Sequence, residues 1–320
     1  MAAVLNLDEV RESAARVAEM AGSVRVRREG LREYAVSLPL EAIPTQLDPD
    51  VHFYGEEEET ALFVVALDSI NFGSGWFPEL RRRDQRSGYF HVARALKERF
   101  ERSGPPSARE LAELTPEECA LIFAQPPEGA VFELMALFAR ALNDLGRFLD
   151  EGYGGSVRVL LEEVEGSAER LAGELARMPF FQDVHGYRGF RVPIYKRAQI
   201  TPSDLALALG GRGLGGFHDL DRLTIFADNL VPHTLRLDGV LEFGPGLLER
   251  IERGQLLDSG SEEEVEMRAC AIHAAELLKA ELAAEGRHVR SLDLDNLLWN
   301  RGQGPRYKAS PRPRCRCVYY

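Results

Sequence analysis

Residues 183–236 carry the side chains best suited to chemistry. They include Lys196 beside Arg197, Asp228 within the apolar run LTIFADNLVP, and His233 directly after that run. The chain has only four lysines among its 39 basic residues, the rest being arginine. A lysine retained in such a chain suggests a role for a compact, titratable ammonium at Lys196.

A helix is predicted to begin just after the Lys196–Arg197 pair. Thr201 is a favourable N-cap, Pro202 suits the first turn, and the glycines that follow Leu209 end the helix. The unpaired N–H groups of a helix start attract anions, so this start and the two cations together could bind a phosphate. The alternative is a pair of surface cations near a helix end.

Asp228 lies at a predicted break between two helices, one over residues 220–227 and one opening at Pro232. A carboxylate at such a break is displayed beside the core, where reactive groups often occur. The alternative is a helix-capping aspartate. His233 falls in the first turn of the second helix, whose partial positive charge disfavours protonation, so a structural role is favoured over a catalytic one.

Two further segments place polar and aromatic side chains together. Asn71 and Phe72 occur among glycines directly after a predicted buried strand, the usual setting of a ligand loop. Asp295 and Trp299 are four residues apart on a predicted helix, so they share one face. A carboxylate and an indole on one face suit a flat cationic ligand.

The pattern of apolar residues indicates mostly helices. Helical spacing predicts helices over residues 10–21, 90–100, 108–114, 130–149, 157–178 and 263–285. Two short strands are predicted, over 32–38 and over 61–70, the second apolar enough to be buried on both faces. No internal repeat or long linker divides the chain, and the apolar CRCVYY terminus is expected to dock on the body. The expected fold is mainly α, a single α-rich domain with a few short strands.

Composition bounds the function. A net charge of −12 argues against binding to a long nucleic-acid backbone, so no stable nucleic-acid complex is expected. Binding of a small anion in a local basic pocket is compatible with this net charge. No apolar run approaches the roughly 20 residues of a membrane helix, and the N-terminus reads as an amphipathic helix rather than a signal peptide, so a cytoplasmic protein is expected. The four cysteines fit neither a disulfide framework nor a common zinc pattern.

Six blocks in chain order resemble the queuosine salvage family, the queuosine 5'-phosphate N-glycohydrolases. They are LDSINFGSGW, FQDVHGYRGFRVPIYKRAQI, LTIFADNLVPHTLR, EEEVEMRACAIHAAELL, LDLDNLLW and CRCVYY. The resemblance implies a core like that of helix-hairpin-helix DNA glycosylases over about residues 106–320, with an N-terminal elaboration over about 1–105. The resemblance also implies that Lys196 and Asp228 are related to the lysine and the aspartate of those DNA enzymes. The order of residues differs, because the aspartate of the DNA enzymes follows a Val-Pro pair whereas Asp228 precedes Val231-Pro232.

The same resemblance implies hydrolysis of the bond between the base queuine and ribose 5-phosphate, a small-molecule reaction that needs no cofactor or metal. Asp228 would face the positive charge that develops on the sugar, either as a nucleophile or as an electrostatic partner that also orients water. Lys196, helped by Arg197, would bind the 5'-phosphate or the ribose. Asp295, Trp299 and Asn300 would meet the ammonium and diol of queuine. Weaker candidates for the pocket wall are His52, Asn71, Phe72, Asp183, Tyr195 and His233.

Two other functions compete with this hydrolase. One is a non-catalytic protein that binds a modified nucleotide. The other is a DNA base-excision glycosylase, which the acidic balance and the missing basic groove disfavour.

Overall fold

The computed structural model describes residues 5–82 and 86–320, and this part of the chain is mainly helical. Its fifteen α-helices are α1 (Leu7–Met20), α2 (Leu31–Ser37), α3 (Glu57–Ser69), α4 (Gly88–Ser103), α5 (Ala108–Glu113), α6 (Pro116–Ile122), α7 (Gly129–Tyr153), α8 (Val157–Glu163), α9 (Ala168–Leu175), α10 (Lys196–Ala208), α11 (Leu230–Leu237), α12 (Pro245–Glu252), α13 (Glu262–Ala284), α14 (Ser291–Gly302) and α15 (Pro305–Lys308). None of these helices has the length and apolar composition needed to cross a membrane.

The four strands of the described residues form two small antiparallel pairs. β1 (Val24–Val26) pairs with β4 (Leu241–Phe243), and β2 (Val184–Tyr187) forms a hairpin with β3 (Phe190–Pro193). The hairpin turns at Arg188 and Gly189, both with positive φ (41° and 87°), the backbone conformation that matches the twist of a two-residue hairpin. The prediction of a mainly α fold with a few short strands is confirmed; the division at about residue 105 stays a prediction.

Two deeply buried helices organise the core. α13 packs against α1, α2, α11 and α14, and α3 packs against α4, α7, α8 and α10. α3 has buried residues on every face, among them Phe63, Val65 and Leu67. α10, which begins at Lys196, packs on α3, and α11, which follows Asp228, packs on α13. Each of these two helices is therefore supported by one of the central helices.

The C-terminal tail docks as the sequence predicts. The Gly73 N–H donates to the Tyr320 carbonyl at 3.0 Å, and the backbone of Cys315 forms a parallel β-bridge with that of Leu257. A Cβ on Gly75 would lie 2.4 Å from the Cys315 carbonyl oxygen, so only glycine allows the tail to approach the loop after α3 this closely.

Several element predictions are wrong. Residues 61–70 and 32–38, predicted as strands, lie in α3 and α2. A helix covered on all sides loses its amphipathic period, so a short apolar run cannot be told from a buried strand by pattern alone. The predicted helix over 157–178 divides into α8 and α9, and that over 220–227 is a single 3-10 turn (Leu220–Arg222) followed by non-helical chain.

The predicted helix start at Thr201-Pro202 is also wrong. α10 begins five residues earlier, at Lys196, and Pro202 lies inside it. Thr201 donates its hydroxyl to the Arg197 carbonyl (2.9 Å) instead of capping a helix. Lys196 and Arg197 are therefore the first two residues of α10 rather than a pair preceding it.

Candidate active site

Asp183 holds the N-terminus of α10. Its carbonyl accepts hydrogen bonds from the Ile194 and Tyr195 N–H groups (2.9 and 3.2 Å), and its Oδ2 accepts one from the Lys196 N–H (3.0 Å). Tyr195 itself adopts the left-handed conformation, with φ of 52°. These contacts turn the chain from β3 into α10 and determine where Lys196 begins the helix.

Arg268 of α13 links this turn to the segment that carries Asp228. Its Nη1 and Nη2 donate to the two Asp183 carboxylate oxygens (2.9 and 2.6 Å), and its Nε donates to the Ala227 carbonyl (2.8 Å). Burial raises the pKa of Asp183, but Arg268 and a hydrogen bond from His185 outweigh it, and the net shift is downward. One fully buried ion pair thus connects the backbones of Lys196 and Asp228.

Asp228 both caps a helix and faces open space. Its Oδ1 accepts hydrogen bonds from the Leu230 and Val231 N–H groups (2.7 and 3.0 Å), the first free donors of α11. Its Oδ2 accepts none from the residues that the structure describes. The helix-capping alternative is therefore correct for one oxygen, which leaves the other available to a ligand.

Lys196 extends from α10 into the same space. Its side chain is buried, and Nζ donates to the Asn71 carbonyl at 3.2 Å. Burial lowers the pKa of Lys196, while Asp228 and then Asp68 act to raise it. The ammonium is therefore held within electrostatic reach of several carboxyl groups.

These side chains open into a cavity of about 340 Å³. It lies between the 44–52 segment, the loop after α3, the first turn of α4, one face of α10, the 226–230 segment, α14 and the C-terminal tail. Lys196, Ile200, Asp204 and Leu207 line it from α10 at the spacing of a single helical face. A volume of this size is within the range of small-molecule sites.

Three buried carboxyl groups surround Lys196. Burial raises the pKa of Asp68 to about 6 against the opposing effect of Lys196, and burial followed by repulsion from Asp68 raises the pKa of Asp204 well above its usual range. Burial and then Asp228 raise the pKa of Asp295 to about 8. The Asp295 Oδ1 accepts a hydrogen bond from the Phe226 N–H (2.8 Å), whereas Asp204 accepts none from the described residues.

An aromatic wall, formed by His52, Tyr89, Phe90 and Trp299, closes another side of the cavity. Trp299 packs edge-on against Tyr89 with 5.6 Å between ring centroids and lies 5.8 Å from Phe90. His52 bonds through Nδ1 to the Asp48 carbonyl (2.8 Å) and through Nε2 to the Tyr89 hydroxyl (2.9 Å). Burial lowers the pKa of His52, so the ring is a neutral part of this wall.

Known proteins are similar to this chain over most of its length. A family model described as "Queuosine salvage protein" matches residues 51–320. The chain belongs to the queuosine salvage family. A Sphaerobacter thermophilus relative is 34% identical over 311 residues, covering 95% of both chains, and a Mus musculus relative is 31% identical over 336 residues, covering 97% of this chain and 98% of the relative. A Dictyostelium discoideum relative is 31% identical over 266 residues, covering 82% of this chain and 79% of the relative. All three are named queuosine 5'-phosphate N-glycosylase/hydrolase.

In this member of the queuosine salvage family, most of the side chains singled out from the sequence meet in the cavity. Those that line it are His52, Asn71, Phe72, Lys196, Asp228, Asp295, Trp299 and Asn300. They come from segments as far apart as residues 52 and 300, so their convergence is a property of the fold and not of local spacing.

Four predicted pocket residues do not line the cavity. Arg197 is buried and donates to the Ser69 carbonyl (2.6 Å) and the Phe180 carbonyl, so it joins α10 to the end of α3. Asp183 and Tyr195 form the turn into α10. His233 bonds through Nε2 to the Tyr307 carbonyl (3.0 Å), and burial lowers its pKa to about 4, in keeping with its predicted structural role. The guanidinium of Arg197 therefore lies outside the cavity and is bonded to backbone carbonyls.

The sequence interpretation missed Asp68, Asp204 and Arg312. A helix start at Thr201-Pro202 separates Lys196 from Asp204, whereas in the structure both belong to α10, eight residues apart and on one face. With the correct helix boundary, that spacing was a usable signal. Nothing in the local pattern marks Arg312, which reaches the cavity from the tail. Within residues 5–82 and 86–320, no group of three or more His, Cys, Asp or Glu side chains is arranged to bind a metal ion.

Proposed function

We propose that this cavity hydrolyses the N-glycosidic bond of queuosine 5'-phosphate. The bond between C1' of the ribose and the base nitrogen breaks, water adds its oxygen to C1', and the base leaves with a proton as queuine. The names of the relatives support the substrate, and the Asp228 geometry supports the chemistry. The small-molecule dimensions of the cavity agree with a nucleotide and not with a nucleic-acid duplex.

The observation that carries the proposal is the divided role of the Asp228 carboxylate. Two N–H groups of α11 hold Oδ1, so Oδ2 has a defined position at the cavity surface. Cleavage of an N-glycosidic bond builds positive charge on C1' and the ring oxygen. A carboxylate held in advance against that charge stabilises the transition state more than the substrate.

Lys196 supplies the opposing charge in the site. Its ammonium lies among Asp228, Asp68 and Asp295, and its attraction favours the ionised forms of Asp68 and Asp295. It donates to the Asn71 carbonyl and has further N–H donors for the hydroxyl groups of the ribose. Lys196 therefore positions the sugar, and the reaction needs no covalent bond to the lysine.

The base occupies the part of the cavity lined by α14 and the aromatic wall. Trp299 offers a ring edge and face for the deazapurine, and Asp295 and Asn300 supply acceptors for the ammonium and hydroxyl groups of queuine. His52, Asn71 and Phe72 complete the wall, Phe72 being held edge-on by Phe138 at 5.2 Å.

The direct test is to incubate the protein with queuosine 5'-phosphate and to detect queuine and ribose 5-phosphate by mass spectrometry. Asp228→Asn is the matched control, since it removes the charge with little change in volume. We expect it to lower kcat by about 10²–10³-fold, the usual effect of losing one preorganised electrostatic group. Wild-type turnover by this variant would exclude Asp228 from the mechanism.

The same assay separates the competing functions. Tight binding of the nucleotide without release of base would indicate a binding protein. Inhibition by duplex DNA at low concentration, with release of a base from that DNA, would indicate a base-excision enzyme.

A further inference from the structure

The 5'-phosphate of a nucleotide needs a cation in the cavity, and Arg197 does not reach it. Among the described residues, three cationic side chains line the cavity: Arg86, Lys196 and Arg312. The carboxylates around each of them decide which one can take up a dianion, because like charges repel strongly where water is scarce.

Two of these cations already interact with acids. Arg86 forms an ion pair with Asp48 (2.5 Å) and lies over the Phe90 ring at 3.7 Å. Lys196 has Asp228 as its strongest charged influence, and Asp68 and Asp295 also lie near it. A phosphate placed beside Lys196 would compete with the Asp228 carboxylate for one ammonium.

Arg312 differs from both. No described residue accepts a hydrogen bond from its guanidinium or forms an ion pair with it. Burial lowers the pKa of Arg312, Asp228 opposes this shift, and the neighbouring Arg314 and Arg82 lower the pKa further. A cation that is only partly compensated in this way favours an anionic ligand.

The position of Arg312 also fits a 5'-phosphate. The Asn229 side chain donates from Nδ2 to the Pro313 carbonyl (2.7 Å), which ties the residue after Arg312 to the residue after Asp228. A second donor, Gln303 Nε2, lines the same cavity, is buried and has no acceptor among the described residues. The phosphate of a nucleotide is one furanose away from C1', so its cation should lie near Asp228 and apart from the buried acids.

We propose that Arg312 binds the 5'-phosphate and thereby makes the cavity specific for nucleotides over nucleosides. The inference rests on the proposed function, whose substrate carries that phosphate. The phosphate site also orients the substrate, because a phosphate at Arg312 directs the base away from the tail, toward Asp295 and Trp299.

The test compares queuosine 5'-phosphate with queuosine in wild type, Arg312→Met and Arg312→Lys. We expect Arg312→Met to lower kcat/KM for the nucleotide by about 10- to 150-fold, the contribution of one charge-assisted hydrogen bond, and to leave the nucleoside unchanged. Arg312→Lys should recover part of the loss, because it restores the charge without the bidentate geometry. Arg306→Met is the matched control: Arg306 bonds to the Leu237 carbonyl (2.9 Å) outside the cavity, so both substrates should keep their rates.

A binding measurement keeps this inference separate from the hydrolase proposal. Calorimetry in an Asp228→Asn background gives the affinity ratio of nucleotide to nucleoside with and without Arg312→Met. If the protein binds the nucleotide but releases no queuine, the hydrolase proposal fails and a loss of the ratio still supports the phosphate site. An unchanged ratio, an equal loss for both ligands, or no binding of either would overturn the assignment of Arg312.

Discussion

At the scale of the residue, Asp204, Asp228 and Asp295 line the cavity, Asp68 is buried near Lys196, and the four differ in what holds them. Asp228 receives two helix N–H donors, whereas Asp68, Asp204 and Asp295 are buried with one hydrogen-bond donor or none, and burial raises the pKa of each of these three. Hydrogen bonds to a carboxylate favour its charged form and burial disfavours it. The same side chain is thus suited to a fixed negative charge at one position and to proton exchange at another.

Asp295 should exchange a proton when it binds a cationic base. Its pKa of about 8 means that most of the free protein carries a proton there at pH 7, and an ammonium in contact with it favours the ionised form. We expect queuosine 5'-phosphate to bind with release of a proton and to bind more tightly as pH rises from about 6.5 to 8. Calorimetry in two buffers of different ionisation enthalpy measures the protons released.

Asp295→Asn isolates this contribution from the other acids. The variant should release fewer protons and lose affinity by about 1.5–3 kcal/mol for queuosine 5'-phosphate, but far less for an analogue without the side-chain amine. Equal losses for both ligands would show that Asp295 does not contact the amine.

At the scale of the element, the site depends on the relative position of α10 and the segment before α11. The Asp183–Arg268 pair connects them, since Arg268 reaches both Asp183 oxygens and the Ala227 carbonyl at once. A lysine at this position keeps the charge and cannot make all three bonds. Arg268 therefore acts through Lys196 and Asp228 as a positioning residue.

We expect Arg268→Lys to lower kcat by about tenfold or more with a small change in KM, because sub-ångström displacement of reacting groups affects the transition state most. Thermal unfolding would establish that the variant is folded. Arg250→Lys serves as the control. Arg250 of α12 pairs with Glu263 of α13, the helix that also carries Arg268, and this pair lies outside the cavity. A wild-type kcat in Arg268→Lys, or a change in KM alone, would argue against a positioning role.

The elements that the sequence predicts well are those with local signals. Ser107 and Thr115, the N-caps of α5 and α6, form capping boxes with Glu110 and Glu118, a three-residue spacing that is visible in the sequence. α3 and α10 were misassigned because tertiary contacts determine them: neighbours bury every face of α3, and Asp183, thirteen residues before Lys196, starts α10. The candidate residues around Asp228 could be selected from chemistry and resemblance, whereas Arg312 and Asp204 become visible only when the tail and α10 are in place.

At the scale of the whole molecule, the acidic cavity has a cost in stability that depends on pH. The chain already carries a net charge of −12, and three of its carboxyl groups are buried around a single ammonium. A carboxyl whose folded pKa lies above its unfolded value retains in the folded state a proton that the unfolded chain releases. Its effect is therefore absent in acid and becomes more unfavourable as pH rises toward the folded pKa.

Asp204→Asn should reveal this cost, because Asp204 has no hydrogen-bond acceptor role to lose among the described residues and its pKa is raised by burial and by Asp68. In the ligand-free protein we expect the unfolding free energy of the variant, relative to wild type, to increase between pH 5 and pH 8 by at most about 1.4 kcal/mol per pH unit. Urea unfolding at both values measures the difference. Glu118→Gln is the control: hydrogen bonds from Thr115 lower the pKa of Glu118, so it is ionised in both states over this range and its effect should not change with pH. If the unfolding free energy of Asp204→Asn relative to wild type is the same at pH 5 and pH 8, Asp204 is ionised throughout this range. Attraction to Lys196 would then outweigh burial and the repulsion from Asp68.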